Sequence, residues 1–120
     1  MMKRILIVDD NRILVNALRR YLTGIGFETS VAGTGTDASE LLQRESVDLV
    51  ILDIGLPDCD GLDWLRQMRE RQLAFPVVIV SSRSAYEVPC VDEPQPPAYL
   101  QKPFPLTYLR KAVDCALNGI

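Results

Sequence analysis

The chain has 120 residues, a formal net charge of −3 and no histidine, and 48% of its residues are hydrophobic. We expect a single domain over residues 1–120 with its own core, and the acidic balance argues against nucleic-acid binding by this domain. The absence of histidine excludes a zinc site and a Cys–His nucleophile, and the three cysteines, Cys59, Cys90 and Cys115, have no motif spacing. We expect no membrane span, no signal peptide and a reducing, cytoplasmic setting.

Apolar runs and helical spacing alternate along the chain. Short apolar runs predict five strands, at residues 5–8, 27–32, 49–53, 77–80 and 98–101. Apolar residues at helical spacing predict helices at 11–22, at 37–43, around Leu62, Leu65 and Met68, and at 106–117. We expect Gly24 and Gly26 to end the first helix and Thr36 to cap the second. The alternation predicts a doubly wound α/β fold, in which five parallel strands carry helices on both faces.

The connection between the fourth and fifth strands departs from this pattern. Residues 83–97 contain four of the chain's eight prolines, at positions 89, 94, 96 and 97. A proline inside a helix removes a backbone donor and clashes with the preceding turn, at a cost of ~3 kcal/mol or more. We therefore expect at most one helical turn, around residues 84–88, in a mobile segment. The substantial side chains available there to cover the sheet are Tyr86, Val88 and Val91.

Three aspartates stand at the ends of apolar runs. Asp9 and Asp10 follow the first run, and Asp53 ends the third. Runs of this kind are typical of parallel strands buried on both faces, and ligands bind outside the carboxyl ends of such strands. Taken alone, the pair is more typical of a solvated turn and Asp53 of a helix cap. Two carboxylates ~4 Å apart repel by about 4 kcal/mol at an effective dielectric of ~20, so the three together predict a site for a hard divalent cation, Mg²⁺.

Two more polar residues reach the same edge of the predicted sheet. Ser81 follows the fourth strand, and Lys102 follows the fifth. Metal ligands, a hydroxyl donor and a fixed cation around one carboxylate are what phosphoryl transfer needs, because its catalysis is mainly positioning and electrostatic stabilisation. A carboxylate nucleophile is already ionised at neutral pH, so the absence of histidine does not obstruct this chemistry.

As a set, these residues and motifs resemble the receiver domain of two-component response regulators. The set comprises Asp9-Asp10, Asp53 with Leu56-Pro57 and Asp60-Gly61, Ser81, and the run Tyr99-Leu100-Gln101-Lys102-Pro103-Phe104. The resemblance covers residues 3–118. It implies a flavodoxin-like sheet with strand order 2-1-3-4-5. The family's fourth helix is expected to be missing or degraded here, because its place falls in the proline-rich segment.

The resemblance also implies roles for the carboxylates. Asp53 would accept a phosphoryl group from the phosphohistidine of a sensor histidine kinase or a histidine phosphotransfer protein. Asp10 and Asp53 would ligate Mg²⁺ directly, Asp9 would act through water, and the backbone carbonyl of Gly55 would be a further ligand. The domain would catalyse only its own phosphorylation and slow dephosphorylation, so it would be a signalling phosphoacceptor and not an enzyme. It would switch a downstream output domain or target protein.

Further positions follow from the same resemblance. Ser81 and Lys102 would contact the phosphoryl oxygens, and Tyr99 would change rotamer when Ser81 moves toward the phosphate. The Lys102–Pro103 bond is expected to be cis. Ser82 stands where the family usually has Ala or Gly, so its hydroxyl would narrow access to the phosphoryl group. Gly55 stands two residues after the acceptor, where the family often has a larger side chain that modulates the access of water.

Two other classes of function compete with this hypothesis. One is an unphosphorylated, receiver-like interaction module, although such proteins usually lack one of the acidic residues or the lysine. The other is a hydrolase of the haloacid-dehalogenase type, which needs a second aspartate two positions after the nucleophile, where this chain has Gly55. If the chain forms a homodimer, we expect it to use the first helix or the fifth helix alone. The family's usual surface of helix four, strand five and helix five is not expected, because its fourth helix is missing.

Overall fold

Strands and helices alternate along the computed structural model, which describes residues 2–89, 91, 93–94 and 96–118. The elements are β1 (Arg4–Val8), α1 (Arg12–Gly24), β2 (Glu28–Ala32), α2 (Gly35–Arg44), β3 (Leu49–Asp53), α3 (Gly61–Glu70), β4 (Val77–Ser81), β5 (Ala98–Gln101) and α4 (Leu106–Asn118). Among the helices of this described part, none combines the length and the hydropathy needed to cross a bilayer.

The five strands form one parallel sheet in the order β2-β1-β3-β4-β5. Its register pairs Val8 with Leu52, Asp53 with Val80, and Ser81 with Gln101. The carboxyl ends of β1, β3, β4 and β5 therefore meet at one edge, where the polar residues of the sequence pattern lie. The predicted α/β fold and its flavodoxin-like strand order are confirmed, and among the described residues between β4 and β5 no α-helix is present, as expected.

Alternate side chains of the central strands enter two separate cores. Leu6, Val50 and Ile79 pack on the face that α2 and α3 cover. Ile7 and Ile51 pack on the opposite face, which α1 and α4 cover. Successive side chains of a strand point to opposite faces, so an apolar run without alternation is buried on both sides. This packing leaves the polar residues at the carboxyl edge of an otherwise apolar sheet, where Asp9, Asp53 and Ser81 are themselves buried.

The ends of the first two helices can be compared with the sequence prediction. Gly24 is the last residue of α1, Ile25 is its C-cap, and Gly26 follows with a positive φ of 103°, so the two glycines end this helix as predicted. Thr34 caps α2, because its hydroxyl oxygen accepts a hydrogen bond from the backbone N–H of Asp37 at 3.0 Å. The prediction of Thr36 as the cap is wrong, since α2 begins at Gly35. Both threonines are suitable cap residues, so local propensity could not separate them.

The segment between β4 and β5 forms a single 3₁₀ turn, Ala85–Glu87, among its described residues. This confirms the prediction of at most one helical turn. Val88 and Val91 pack against the core as expected. Tyr86 does not, because it is 98% exposed, and its predicted role in covering the sheet is wrong. Cys90 lies outside the described residues.

An ion pair ties the same segment to α3. The guanidinium of Arg69 contacts the Glu93 carboxylate at 2.9 Å, and it also donates to the backbone carbonyls of Leu73 and Phe75 at 2.8 and 2.7 Å. It lies over the ring of Phe75, with 4.8 Å to the centroid. The connection is therefore held by a charged contact between distant residues in place of a helix. No local pattern in the sequence indicates this contact, because Arg69 and Glu93 are 24 positions apart.

Candidate functional site

Three carboxylates converge at the carboxyl edge of the sheet. Asp9 lies just past β1, Asp53 ends β3, and both are buried, whereas Asp10 is exposed. One oxygen atom from each of the three carboxylates lies within 4.8 Å of the others. The register of the parallel strands causes this convergence, because β1 and β3 are neighbours in the sheet. The sequence prediction that these three residues lie together is therefore confirmed in its geometry.

Lys102 brings a positive charge to this cluster. Its Nζ atom lies 2.8 Å from Asp9 Oδ2 and 3.4 Å from Asp53 Oδ2. Its backbone N–H donates to the carbonyl of Ser81 at 2.7 Å, which attaches the end of β5 to the end of β4. The following peptide bond, Lys102–Pro103, is cis, as expected. The ammonium group is thus shared by two carboxylates and lies closer to Asp9 than to Asp53.

The environment of Asp53 raises the pKa of its carboxyl group above the ordinary value. Burial raises the pKa of this carboxyl, and the negative charge of Asp9 raises it further. The Lys102 ammonium and a hydrogen bond from the Gly55 N–H to Asp53 Oδ1, at 3.2 Å, oppose the rise in the pKa. A raised pKa in a buried carboxylate indicates negative charge that nearby protein groups do not fully balance.

Asp9 is oriented by its own chain neighbour. The backbone N–H of Asn11 donates to Asp9 Oδ1 at 2.9 Å, while the Asn11 side chain caps α1 through the N–H groups of Ile13 and Leu14. Asn11 therefore fixes the position of the Asp9 carboxylate relative to the start of α1. This role of Asn11 was not predicted from the sequence, although an asparagine just before a helical pattern is a recognisable cap signal.

Ser81 and Tyr99 are linked through the backbone of one residue. Ser81 is buried, and its Oγ accepts a hydrogen bond from the Arg83 N–H at 3.1 Å. The Tyr99 hydroxyl donates to the Arg83 carbonyl oxygen. Tyr99 is therefore connected to the end of β4 by a short chain of hydrogen bonds through Arg83. Ser82, the residue that follows Ser81, is exposed.

The loop after β3 passes close to the strand that carries Asp53. Gly55 is exposed and forms an isolated antiparallel bridge with Asp60. Asp60 caps α3 by accepting from the N–H groups of Leu62 and Asp63 at 2.8 and 3.4 Å. A Cβ atom on Gly61 would collide with the backbone carbonyl of Asp53, so glycine is required at this position. The Asp-Gly pair of the sequence motif therefore begins α3 and permits its close approach to β3.

The fold and this arrangement of groups are those of a receiver domain. A model of the family described as the response regulator receiver domain matches residues 5–114. The chain belongs to this family.

Two curated relatives illustrate the similarity in sequence. The transcriptional regulatory protein PmrA of Pectobacterium parmentieri is 38% identical over 122 residues, which cover 96% of this chain and 52% of that protein. The response regulator MprA of Mycobacterium leprae is 36% identical over 116 residues, which cover 96% of this chain and 51% of that protein. The chain spans about half the length of these relatives.

Solved structures show the same fold. The response regulator protein TrrA of Thermotoga maritima, solved in complex with Mg²⁺-BeF, is 28% identical with a TM-score of 0.82, and the match covers 97% of this chain and 100% of that one. A CheY-like receiver domain protein of Methanospirillum hungatei is 24% identical with a TM-score of 0.85, and the match covers 99% of this chain and 96% of that one. The chain is thus a receiver domain of the two-component response regulator class.

Proposed function

We propose that this receiver domain accepts a phosphoryl group on Asp53 in a Mg²⁺-dependent reaction, and that the aspartyl phosphate switches an output. The observation that carries the proposal is the position of Lys102 Nζ, 3.4 Å from Asp53 Oδ2, at a cluster of three carboxylates whose oxygens lie within 4.8 Å. The phosphoryl donor is the phosphohistidine of a sensor histidine kinase or of a histidine phosphotransfer protein.

The donor set suits Mg²⁺. Carboxylate oxygens are the ligands that this hard cation prefers, and burial together with the Asp9 charge raises the pKa of Asp53 more than Lys102 lowers it. Asp10 and Asp53 would bind the ion directly, Asp9 would act through water, and the carbonyl of Gly55 would be a further ligand. When bound, the ion supplies charge neutralisation for the phosphoryl oxygens.

The residues of the chain perform the remaining chemistry. An oxygen of the ionised Asp53 forms a bond to phosphorus while the bond between phosphorus and the histidine nitrogen breaks. The electron pair of the broken bond stays on the imidazole of the donor, which takes a proton from solvent. Lys102 stabilises the charge on the phosphoryl oxygens, because its ammonium is already held between Asp9 and Asp53.

Ser81 supplies the hydroxyl that completes the site. Its Oγ now accepts from the Arg83 N–H, which leaves its own hydroxyl hydrogen to be donated to a phosphoryl oxygen. A movement of Ser81 toward the phosphoryl group would disturb Arg83, whose carbonyl receives the Tyr99 hydroxyl. We propose that Tyr99 changes rotamer in this way and reports phosphorylation at the surface.

The signalling role defines the partners of the proposed domain. Residues 1–120 would act as one receiver domain in the cytoplasm, and the phosphorylated state would engage an output domain or a target protein. The domain would catalyse only its own phosphorylation and slow dephosphorylation. Nucleic-acid binding by this domain is not part of the proposal, because its net charge is −3.

Labelling of Asp53 tests the proposal. The wild type, incubated with Mg²⁺ and acetyl phosphate or with BeF₃⁻ as a phosphoryl mimic, should gain one modification that is visible by mass spectrometry or NMR. Asp53→Asn should gain none, because an amide cannot act as the nucleophile. Undiminished labelling of Asp53→Asn would place the acceptor elsewhere, and no label on the wild type would favour an unphosphorylated interaction module.

A further inference from the structure

The loop between β3 and α3 is bonded to a helix that is not its neighbour in the chain. The Asp58 carboxylate accepts from the N–H of Gly35 at 2.8 Å, and from the N–H and hydroxyl of Thr36 at 3.0 and 2.9 Å. The first N–H groups of a helix have no partner inside it, and a negative charge there is favoured by the helix dipole. These hydrogen bonds lower the pKa of Asp58 to about 2, so the carboxylate stays ionised at neutral pH.

The same contact is close-packed as well as hydrogen-bonded. A Cβ atom on Gly35 would lie 2.5 Å from Cys59 Sγ and 3.0 Å from Trp64 Cδ1. Only glycine therefore allows the start of α2 to approach the loop this closely. The loop and α2 are in van der Waals contact at the point where Asp58 bonds the helix.

The loop held by Asp58 also reaches the acidic cluster. Gly55 donates its N–H to Asp53 Oδ1 and forms a bridge with Asp60, so the residues between them form a closed turn that contains Asp58. On the other side, the N–H of Asp9 donates to the carbonyl of Ala32 at 3.1 Å, three residues before α2 begins. The start of α2 is therefore connected both to the end of β1, where Asp9 lies, and to the loop that follows Asp53.

We propose that Asp58 is a positioning residue for the metal site. By bonding the start of α2, it holds the loop and thus the backbone of Gly55 in place beside Asp53. This inference rests on the proposed function, in which the Gly55 carbonyl is a ligand of Mg²⁺. Asp58 would not be a ligand itself, because Gly35 and Thr36 engage both of its oxygens. Groups that orient metal ligands commonly change metal affinity ~10- to 100-fold when they are removed.

Four variants separate this role from simple helix capping and from loss of charge. Asp58→Ala removes the connection, and Thr36→Val removes one of its three hydrogen bonds while keeping the Asp58 charge. Asp63→Asn is the control, because it removes one exposed carboxylate that pairs with Arg66 on α3. Asp10→Ala removes a proposed direct ligand and gives the size of that loss for comparison.

Two measurements are made on each variant. In the metal-free proteins, the backbone amide resonance of Gly55 is followed by ¹H–¹⁵N NMR. We expect it to shift in Asp58→Ala and Thr36→Val and to stay unchanged in Asp63→Asn. Calorimetric titration with Mg²⁺ should give an affinity loss of ~10-fold for Asp58→Ala and on the order of 3-fold for Thr36→Val, with less than ~2-fold for Asp63→Asn.

The outcomes distinguish this inference from the function on which it rests. An unshifted Gly55 amide in Thr36→Val, with a wild-type affinity for Mg²⁺, would overturn the positioning role and leave Asp58 as a cap of α2. A wild type that binds no Mg²⁺ would contradict the proposed function, and the Gly55 amide alone would then decide whether Asp58 positions the loop. If Asp58→Ala fails to fold, Thr36→Val decides, since it keeps the Thr34 cap.

Discussion

Lys102 approaches two carboxylates and does not fully offset the effects that raise the pKa of Asp53. Its Nζ atom is 2.8 Å from Asp9 and 3.4 Å from Asp53, and burial raises the pKa of Asp53. When folding raises the pKa of a carboxyl group, the native state stabilises the neutral form of that group relative to the ionised form. Ionisation of the group therefore lowers the free energy of unfolding. A site of this kind favours the binding of a cation, because the cation balances negative charge that the groups of the folded protein do not fully balance.

The pH dependence of stability should reveal this charge. The pKa of Asp53 is raised from 3.8, so between pH 3.8 and the native pKa the native state binds more protons than the unfolded chain. The free energy of unfolding contributed by Asp53 therefore falls as the pH rises through that window and levels off above the native pKa. Asp53→Asn lacks the titration, so the metal-free variant should gain stability relative to the wild type as the pH rises.

Urea unfolding of both proteins without metal, from about pH 3 to about pH 8, measures the difference. The other carboxylates titrate in both proteins, so the difference between them reports mainly on Asp53. Added Mg²⁺ should stabilise the wild type more than Asp53→Asn. A difference that is constant across the whole range would contradict the raised pKa.

The proline-rich connection between β4 and β5 is the element that departs most from the alternation of strands and helices in this chain. Where a fourth helix is expected, the described residues form one 3₁₀ turn and then pack Val88 and Val91 against the core. Arg69 contacts Glu93 and two backbone carbonyls at the end of α3, and the side chains of Arg69 and Glu93 are only 26% and 17% exposed. A partly buried ion pair of this kind is expected to stabilise the connection more than a solvent-exposed salt bridge would.

Substitutions of the pair should therefore have unequal effects. Arg69→Ala removes the ion pair, two hydrogen bonds to carbonyls and the contact with Phe75, and should lower the free energy of unfolding by about 2 kcal/mol. Glu93→Gln leaves the carbonyl contacts intact and should cost about 1 kcal/mol or less. Both values come from urea denaturation, with Arg66→Ala as the control because its pair with Asp63 is exposed.

Hydrogen exchange adds a local measurement to the same variants. The amides of residues 84–88 should exchange faster than those of β4 in the wild type, because the segment has little regular hydrogen bonding. Glu93→Gln should increase that exchange further without altering β1 and β3. Protection of the segment equal to that of β4 would contradict the expected mobility, and equal stabilities of Arg69→Ala and Arg66→Ala would show that the pair contributes little.

At the scale of the whole molecule, the missing helix changes the surface that is available to partners. Two helices cover each face of the sheet, but beside β5 an irregular connection takes the place of one expected helix. Large apolar side chains are exposed on two regular helices, with Ile13 on α1 at 85% and Tyr108 on α4 at 62%, whereas the exposed Tyr86 of the connection lies on a single 3₁₀ turn. α4 occupies the position of the family's fifth helix. These two helices therefore offer better contact surfaces than the proline-rich connection.

A homodimer, if the BeF₃⁻-treated protein forms one, should depend on α1 or α4. Ile13→Asp or Tyr108→Asp should weaken it, because burial of either side chain would then require burial of a charge. Tyr86→Asp, on the 3₁₀ turn, is the matched control and should have no effect. Sedimentation equilibrium of the three variants measures the dissociation constant. A symmetric dimer through the connection, β5 and α4 together, or one lost only in Tyr86→Asp, would refute the prediction.

Local patterns in the sequence were enough to predict the fold and the membership of the carboxylate cluster. Apolar runs such as 5–8 and 49–53 indicate burial on both faces, and their alternation with helical spacing implies parallel strands. Parallel strands bring their carboxyl ends to one edge, so Asp9 and Asp53 had to meet there. The prolines also excluded a long helix before β5 by local sterics alone.

Only the tertiary structure decided which groups contact each other. Lys102 and Asp9 are 93 positions apart in the chain, and nothing local indicates that the ammonium lies closer to Asp9 than to Asp53. The bond from Thr36 to Asp58 spans 22 positions, and neither the start of α2 nor the exposure of Tyr86 followed from local propensity. Propensity and periodicity depend on neighbouring residues, whereas hydrogen bonds, caps and burial depend on the approach of distant segments, which packing of the whole chain determines.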